Sequence, residues 1–284
     1  MTSTVDRIVE QDGSPTTSIA WDGAGLLLSK PELNEIWRWD AETDTLELYR
    51  KYTGAVRAIA VSAGGRIYGC QTPSRRIIEY INDGSARTLS TQLDGHYHNF
   101  PVSLATDQRE RIWFADAHVD IKSPGPAVYP RLDHASVLRL EPGPDDSWQM
   151  HRMTTDTKNP MALALSMDEE TLYVVDIAGG RTDIYAYEVG PHAGLGKRRR
   201  VLGVEAQSDH PMPGLSTTKD GNLLLAGVGE SHELRLIDPD GHELEAIVLD
   251  DEPTHAIQSV SDDFSVLVAT RSGAVLRVKL DSLS

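Results

Sequence analysis

Six times along the 284-residue chain one phrase returns: a small-polar turn, then at once an apolar strand. The copies read WDGAGLLLSK from Trp21, SAGGRIYGC from Ser62, DQRERIWFAD from Asp107, SMDEETLYVVD from Ser166, KDGNLLLAG from Lys219 and SDDFSVLVAT from Ser261. With the residue before each apolar run as anchor (Gly25, Arg66, Arg111, Thr171, Asn222 and Ser265), the gaps are 41, 45, 60, 51 and 43 residues, and closing through the termini gives 44. A period near forty with about four strands per repeat is the pattern of a β-propeller. The closure leaves nothing over, so the expectation is an all-β, six-bladed propeller of four-stranded antiparallel blades around a central channel.

Each phrase is followed by a second, alternating strand: EIWRWD at Glu35, RIIEY at Arg76, SVLRL at Ser136, DIYAYEV at Asp183, ELRLID at Glu233 and AVLRVKL at Ala274. Strict alternation marks half-buried strands, and no segment reads as a helix. Without a Pro- or Ser-rich linker, residues 1–284 read as one domain. Residues 1–13 form either an N-terminal arm or the outer strand that closes the last blade.

The net charge of −16 disfavours nucleic acid or an anionic membrane as partner. No stretch spans a bilayer and the N-terminus lacks the apolar core of a signal peptide, so a cytoplasmic protein is expected. Cys70 is the only cysteine, which leaves no intrachain disulfide. The expected partner is a small molecule bound in the channel; the oligomeric state is not legible.

In an up-and-down propeller one face carries the short turns inside each repeat, here AGG, KDG, NDG and DPDG. The other face carries the longer connections, where function concentrates. The longest runs from Ala117 to His134 and reads as a cover for the channel mouth. Seven of the ten histidines fall on that face: His96, His98, His118, His134, His210, His232 and His255. Imidazoles grouped at a cavity suit proton transfer or metal ligation, although polar loops also collect histidine.

The phrases WDGAGLLLSKPELNEIWRWDAETDTLELY, RIWFADA and LSMDEETLYVVD resemble those of the senescence-marker-protein/gluconolactonase (regucalcin-like) family, over roughly Ser14 to Leu280. The resemblance implies a six-bladed propeller with a divalent cation, often calcium, in the channel, and lactonase or related hydrolase activity. The family's metal ligands do not carry over. Its first-blade glutamate falls on Thr17 in TTSIAW, its fourth-blade asparagine on Met161 in PMALAL and its fifth-blade aspartate on Pro213 in MPGL. Of the third-blade N-x-P-N-D phrase, Asn99 and Pro101 remain while Val102 and Ser103 replace the second asparagine and the aspartate. A hard cation needs several oxygen donors, so the family's calcium is expected to be absent and no cofactor is assigned. The alternative metal reading is a transition ion on His96, His98 and His118, without a carboxylate or cysteine to complete a known motif.

The inward positions are read as Thr17, Arg57, Asn99, Met161, Pro213 and His255, ringed by His98, Asp116, His118, Asp176 and His210. Arg57 facing a channel must pair internally, with Asp116 or Asp176, or bind an anion on the substrate, because an unpaired buried charge is costly. His255 is the candidate acid/base with His98 or His118, unless it is a core histidine bonded to the backbone. Arg57 and Asn99 would hold an oxyanion, with Thr17, Asp116, Met161, His210 and Asp176 lining the substrate. The expected activity is lactonase-like hydrolysis or a metal-independent derivative of it. The alternatives are an isomerase, cyclase or lyase working without metal, and a non-catalytic ligand- or protein-binding propeller.

Overall fold

The computed structural model describes residues 4–119, 130–192, 194–205, 213–228, 232–260 and 264–281. Six four-stranded antiparallel sheets succeed one another along the chain, so the propeller expectation holds. Blade one comprises Ser18–Trp21, Leu26–Lys30, Glu35–Asp40 and Thr45–Lys51. Blade two comprises Val56–Val61, Ile67–Gln71, Arg76–Tyr80 and Ala86–Ser90, and blade three Phe100–Thr106, Ile112–Ala117, Ser136–Pro142 and Trp148–Arg152. Blade four runs from Pro160–Leu165 through Thr171–Ala178 and Arg181–Glu188 to Arg199–Glu205, and blade five from Gly214–Thr217 through Leu223–Ala226 and Glu233–Ile237 to Glu243–Val248. Blade six takes Pro253–Gln258, Ser265–Thr270 and Val275–Lys279 from the end of the chain, and its outermost strand is Val5–Val9. The only helical turn among the described residues is Pro144–Asp146, and no helix there is long and apolar enough to cross a membrane.

Every anchor from the repeat phrase sits at or one residue before the second strand of its blade, which is why the phrase predicts the fold. The apolar runs after the anchors are buried on both faces between neighbouring blades. The core is therefore distributed over the blade interfaces, as in the cluster that joins Leu224, Leu236, Val266 and Leu276.

Inner strands are stitched across each of the six interfaces by a side chain on a neighbour's backbone. Ser18 Oγ donates to the Ile59 carbonyl, Thr106 Oγ1 to Val61, Thr217 Oγ1 to Leu165 and Ser216 Oγ to Ala256. Ser103 Oγ accepts from the Leu163 amide, and Thr254 Oγ1 donates to the Thr16 carbonyl across the seam where the ring closes. These bonds satisfy hydroxyls that a channel wall would otherwise leave unpaired.

A second repeated device sits at the end of the second strand. Gln71 Nε2 donates to the Thr53 carbonyl, Asp116 accepts from the Asn99 amide, and Asp176 accepts from the Lys158 and Asn159 amides. In blade one the same register holds Lys30, whose ammonium meets both oxygens of Asp12 at 2.9 Å and the Gly273 carbonyl at 3.2 Å. Each of these side chains ties down the connection that feeds its own blade. Asp116 and Asp176, read from sequence as mouth residues, belong to this device.

Candidate functional site

Four of the six innermost strands carry a bulge near their entry. Pairing with the second strand slips between Val56 and Ala58, Pro101 and Ser103, Pro160 and Ala162, and Pro253 and His255. The extra residues are Arg57, Val102, Met161 and Thr254. A bulge re-aims the side chain it adds, and the residue after it points the other way. His255 is therefore one step off the ring, in register with Ser18, Ala58, Ser103, Ala162 and Gly214.

That step separates residues the sequence places together. Arg57 and Thr17 line a cavity of about 420 Å³ at the loop face, with Glu32 and Arg271. Pro15, Pro31 and Pro73 make its walls stiff and largely apolar. His255 lines a different cavity, of about 290 Å³, walled by Ile19, Ile59, Leu104, Leu163 and Leu215. Its Nδ1 accepts the Ile19 amide at 3.3 Å, so it is one more stitch at the ring seam. Burial lowers its pKa to about 4.

In the loop-face cavity most polar groups are engaged. Thr17 Oγ1 donates to the Arg57 carbonyl at 2.6 Å and Thr72 Oγ1 to the Pro101 carbonyl at 2.6 Å. Arg271 is held by both carboxylate oxygens of Glu252. The guanidinium of Arg57 makes no ion pair or hydrogen bond among the described residues, and burial pulls its pKa down to about 10. Of the two fates read from sequence, an internal pair with Asp116 or Asp176 does not form. Across the same cavity Glu32 is exposed and is likewise unpaired among the described residues. Sequence reading passed over Glu32; the available signal was its place in the SKPELNE connection of blade one, on the loop face.

The other candidates lie elsewhere. His98 is fully buried against Phe114, ring to ring at 5.4 Å, and its Nε2 shares a hydrogen bond with Ser90 Oγ. Burial, then the charge of Arg75, holds its pKa near 3, which keeps it neutral. Asn99 is buried, with its amide nitrogen committed to the His134 carbonyl at 3.1 Å. Met161 packs in the interface of blades three and four beside Phe100 and Val102. Asp116 is buried, and burial raises its pKa to about 7 despite the Asn99 amide. His118 is exposed at the mouth of blade three. His210 and most of the 117–134 connection lie outside the described residues.

A divalent cation of the kind the resemblance implies does not fit the ring. Thr17 has its hydroxyl engaged, Arg57 brings a positive charge, Val102 and Met161 are apolar, and Pro213 has no donor. Nor do three His, Cys, Asp or Glu side chains converge as a metal site among the described residues.

The chain is thus a six-bladed propeller with a largely apolar cavity at its loop face that carries Arg57 and Glu32. Residues 16–264 match the SMP-30/Gluconolactonase/LRE-like region, and the chain belongs to that family. Among solved structures it is similar to a gluconolactonase from Xanthomonas campestris, with 25% identity, a TM-score of 0.83 and coverage of 98% of this chain and 89% of that one. A luciferin-regenerating enzyme shares the fold at 18% identity and a TM-score of 0.73, covering 98% of this chain and 95% of that one. So does regucalcin, a calcium-binding protein from Agrobacterium tumefaciens, at 14% identity and a TM-score of 0.73, with 99% and 96% covered. No curated protein matches the chain by sequence.

Proposed function

We propose that this chain is a lactonase-like hydrolase of a small molecule, acting in the Arg57–Glu32 cavity without the divalent cation of its family. The observation that carries the reading is that a guanidinium and a carboxylate wall one cavity while pairing with nothing among the described residues, and no ion pair joins them. Family membership and the likeness to a gluconolactonase support the reaction class.

Glu32 takes a proton from a water molecule as the resulting hydroxide adds to the lactone carbonyl. The carbonyl oxygen becomes an oxyanion facing Arg57, whose fixed positive charge stabilises it in a poorly hydrated site. The ring carbon–oxygen bond then breaks, and the leaving alkoxide recovers the proton from Glu32, giving the hydroxy acid. The charge of Arg57 stands where a cation would otherwise polarise the carbonyl. Arg271, fixed by Glu252, adds positive potential without needing to move.

The test is acid release from a panel of γ- and δ-lactones, glucono-δ-lactone included, followed with a pH indicator in the presence and absence of a chelator. Turnover that survives chelation and falls on the order of 10²–10³-fold in Arg57→Gln and in Glu32→Gln is the expected result. Turnover abolished by the chelator and restored by calcium would overturn it. A product isomeric with the substrate would move the reading to an isomerase.

A further inference from the structure

The mouth holds a second group of basic side chains that hydrolysis at Arg57 does not use. Arg75, His118, Arg131 and His134 converge beside blade three, where the Tyr97 amide donates to the Pro130 carbonyl at 3.0 Å and the Leu132 amide to the Tyr97 carbonyl at 3.1 Å. These bonds set Arg131 over the ring of Phe100 at 4.7 Å, while Arg75 lies over Tyr97 at 5.5 Å. Arg75 Nε donates to the His98 carbonyl at 2.6 Å, yet its Nη2 is buried without an acceptor. The side chains of Arg131 and His118 make no hydrogen bond or ion pair among the described residues. After burial, Arg131 and His134 are what depress the pKa of His118, and Arg131 acts in the same sense on Arg75.

The neighbouring acids leave the outer part of the group uncompensated: Asp116 acts on Arg75, and no acid among the described residues acts on His118. Asp116 is buried and accepts the Asn99 amide, and Asp133 is paired with Arg152 at 2.9 Å. On a chain of net charge −16, Arg131 and His118, held beside Arg75 and without an ion pair among the described residues, form a surface waiting for an anion. The ledge also adjoins the reaction cavity, because Thr72 and Pro73 in the cavity wall lead directly to Arg75.

We infer that the substrate is an organic anion whose carboxylate or phosphate rests on the ledge of Arg75, His118 and Arg131 while its lactone carbonyl enters the Arg57–Glu32 cavity. This rests on the hydrolase reading, and the experiment separates the two. Calorimetric titration at low ionic strength uses glutarate and glycerol phosphate as the two anionic probes, with glutaramide and glycerol as neutral controls. One anion is expected to bind at least roughly tenfold tighter than its neutral control, with the stronger probe naming the charged group. Arg131→Gln combined with His118→Gln is expected to erase that preference, and Arg131→Lys alone to keep part of it; melting curves of the variants check folding. Absence of saturable binding by either anion overturns the ledge. So does a preference that survives the double variant and disappears in Arg57→Gln, which would place the anion in the deeper cavity. Lactone opening by a protein that ignores both anions sinks the ledge alone, whereas anion binding on the ledge with no lactone opened sinks the hydrolase reading alone.

Discussion

The two ends of the channel are built from the same six strands and differ in kind. Deep in the channel one register holds Ile19, Ile59, Leu104, Leu163 and Leu215, an aliphatic collar repeated blade after blade. At the loop face the corresponding positions are Thr17, Arg57, Val102, Met161, Pro213 and Thr254, a far more varied set, and in four of the six blades that position is a bulge. The collar repeats because every blade must bury the same surface against its neighbours. Where there is a bulge, its residue is freed from pairing on the ladder, so the blade can vary it without disturbing the frame. Chemistry specific to this chain therefore concentrates in the bulges and in the connections beside them.

The largest expected effect is on turnover at the loop face. Glu32→Gln and Arg57→Gln lower it by about 2.7 kcal/mol or more in activation free energy, whereas His255→Ala leaves turnover within a few-fold. A His255 variant as damaging as Arg57→Gln would erase the distinction between the two ends. Next, Lys30→Met removes the ammonium that gathers Asp12, Ser14 and Gly273. It should cost about 3 kcal/mol, the low end of the range for breaking a buried pair because Asp12 is partly exposed, visible as a drop in thermal midpoint. His255→Ala, which unmakes a single seam stitch and leaves space behind, is expected to cost roughly 1–3 kcal/mol by urea denaturation.

The last contrast is the pH dependence of stability, read as a slope. Burial lowers His98 to about 3 and His255 to about 4, and raises Asp116 to about 7. Between about pH 4 and pH 6.5 the unfolded chain binds protons at both histidines that the native chain refuses, while the native chain keeps one on Asp116 that the unfolded chain has released. For these three groups the net is one proton more on the unfolded side, so together they make stability rise with pH by about 1.4 kcal/mol per unit across that window. Above it the histidine contribution is complete. Replacing Asp116 with Asn should steepen the slope toward two protons; an unchanged slope would show that Asp116 is not holding its proton.

The frame was legible because each blade repeats its demands. The anchors fixed the second strands, and the alternating runs EIWRWD and RIIEY marked the third. The place of Arg57 at the loop face was legible too, since a lone cation in an otherwise apolar strand stands out. His255 misled because a bulge of one residue inverts every side chain after it, and nothing local in EPTHAIQ announces the extra residue. His98 and Asn99 read differently for another reason: the HYHN stretch carries reactive types, but both side chains are buried, His98 on Phe114 and Asn99 on the His134 carbonyl. Glu32 went unnoticed because its connection looks ordinary until Arg57 is seen across from it.

The strand Val5–Val9 pairs with Val275–Lys279, so the first piece of the ring to be synthesised waits for almost the last. About 265 residues separate the partners, and at about 5–20 residues per second the early strand spends tens of seconds with an open hydrogen-bonding edge. Asp6 and Arg7 within it, and Glu10 just after it, place charge of both signs there, which keeps that edge soluble and unattractive to other nascent strands in the interval.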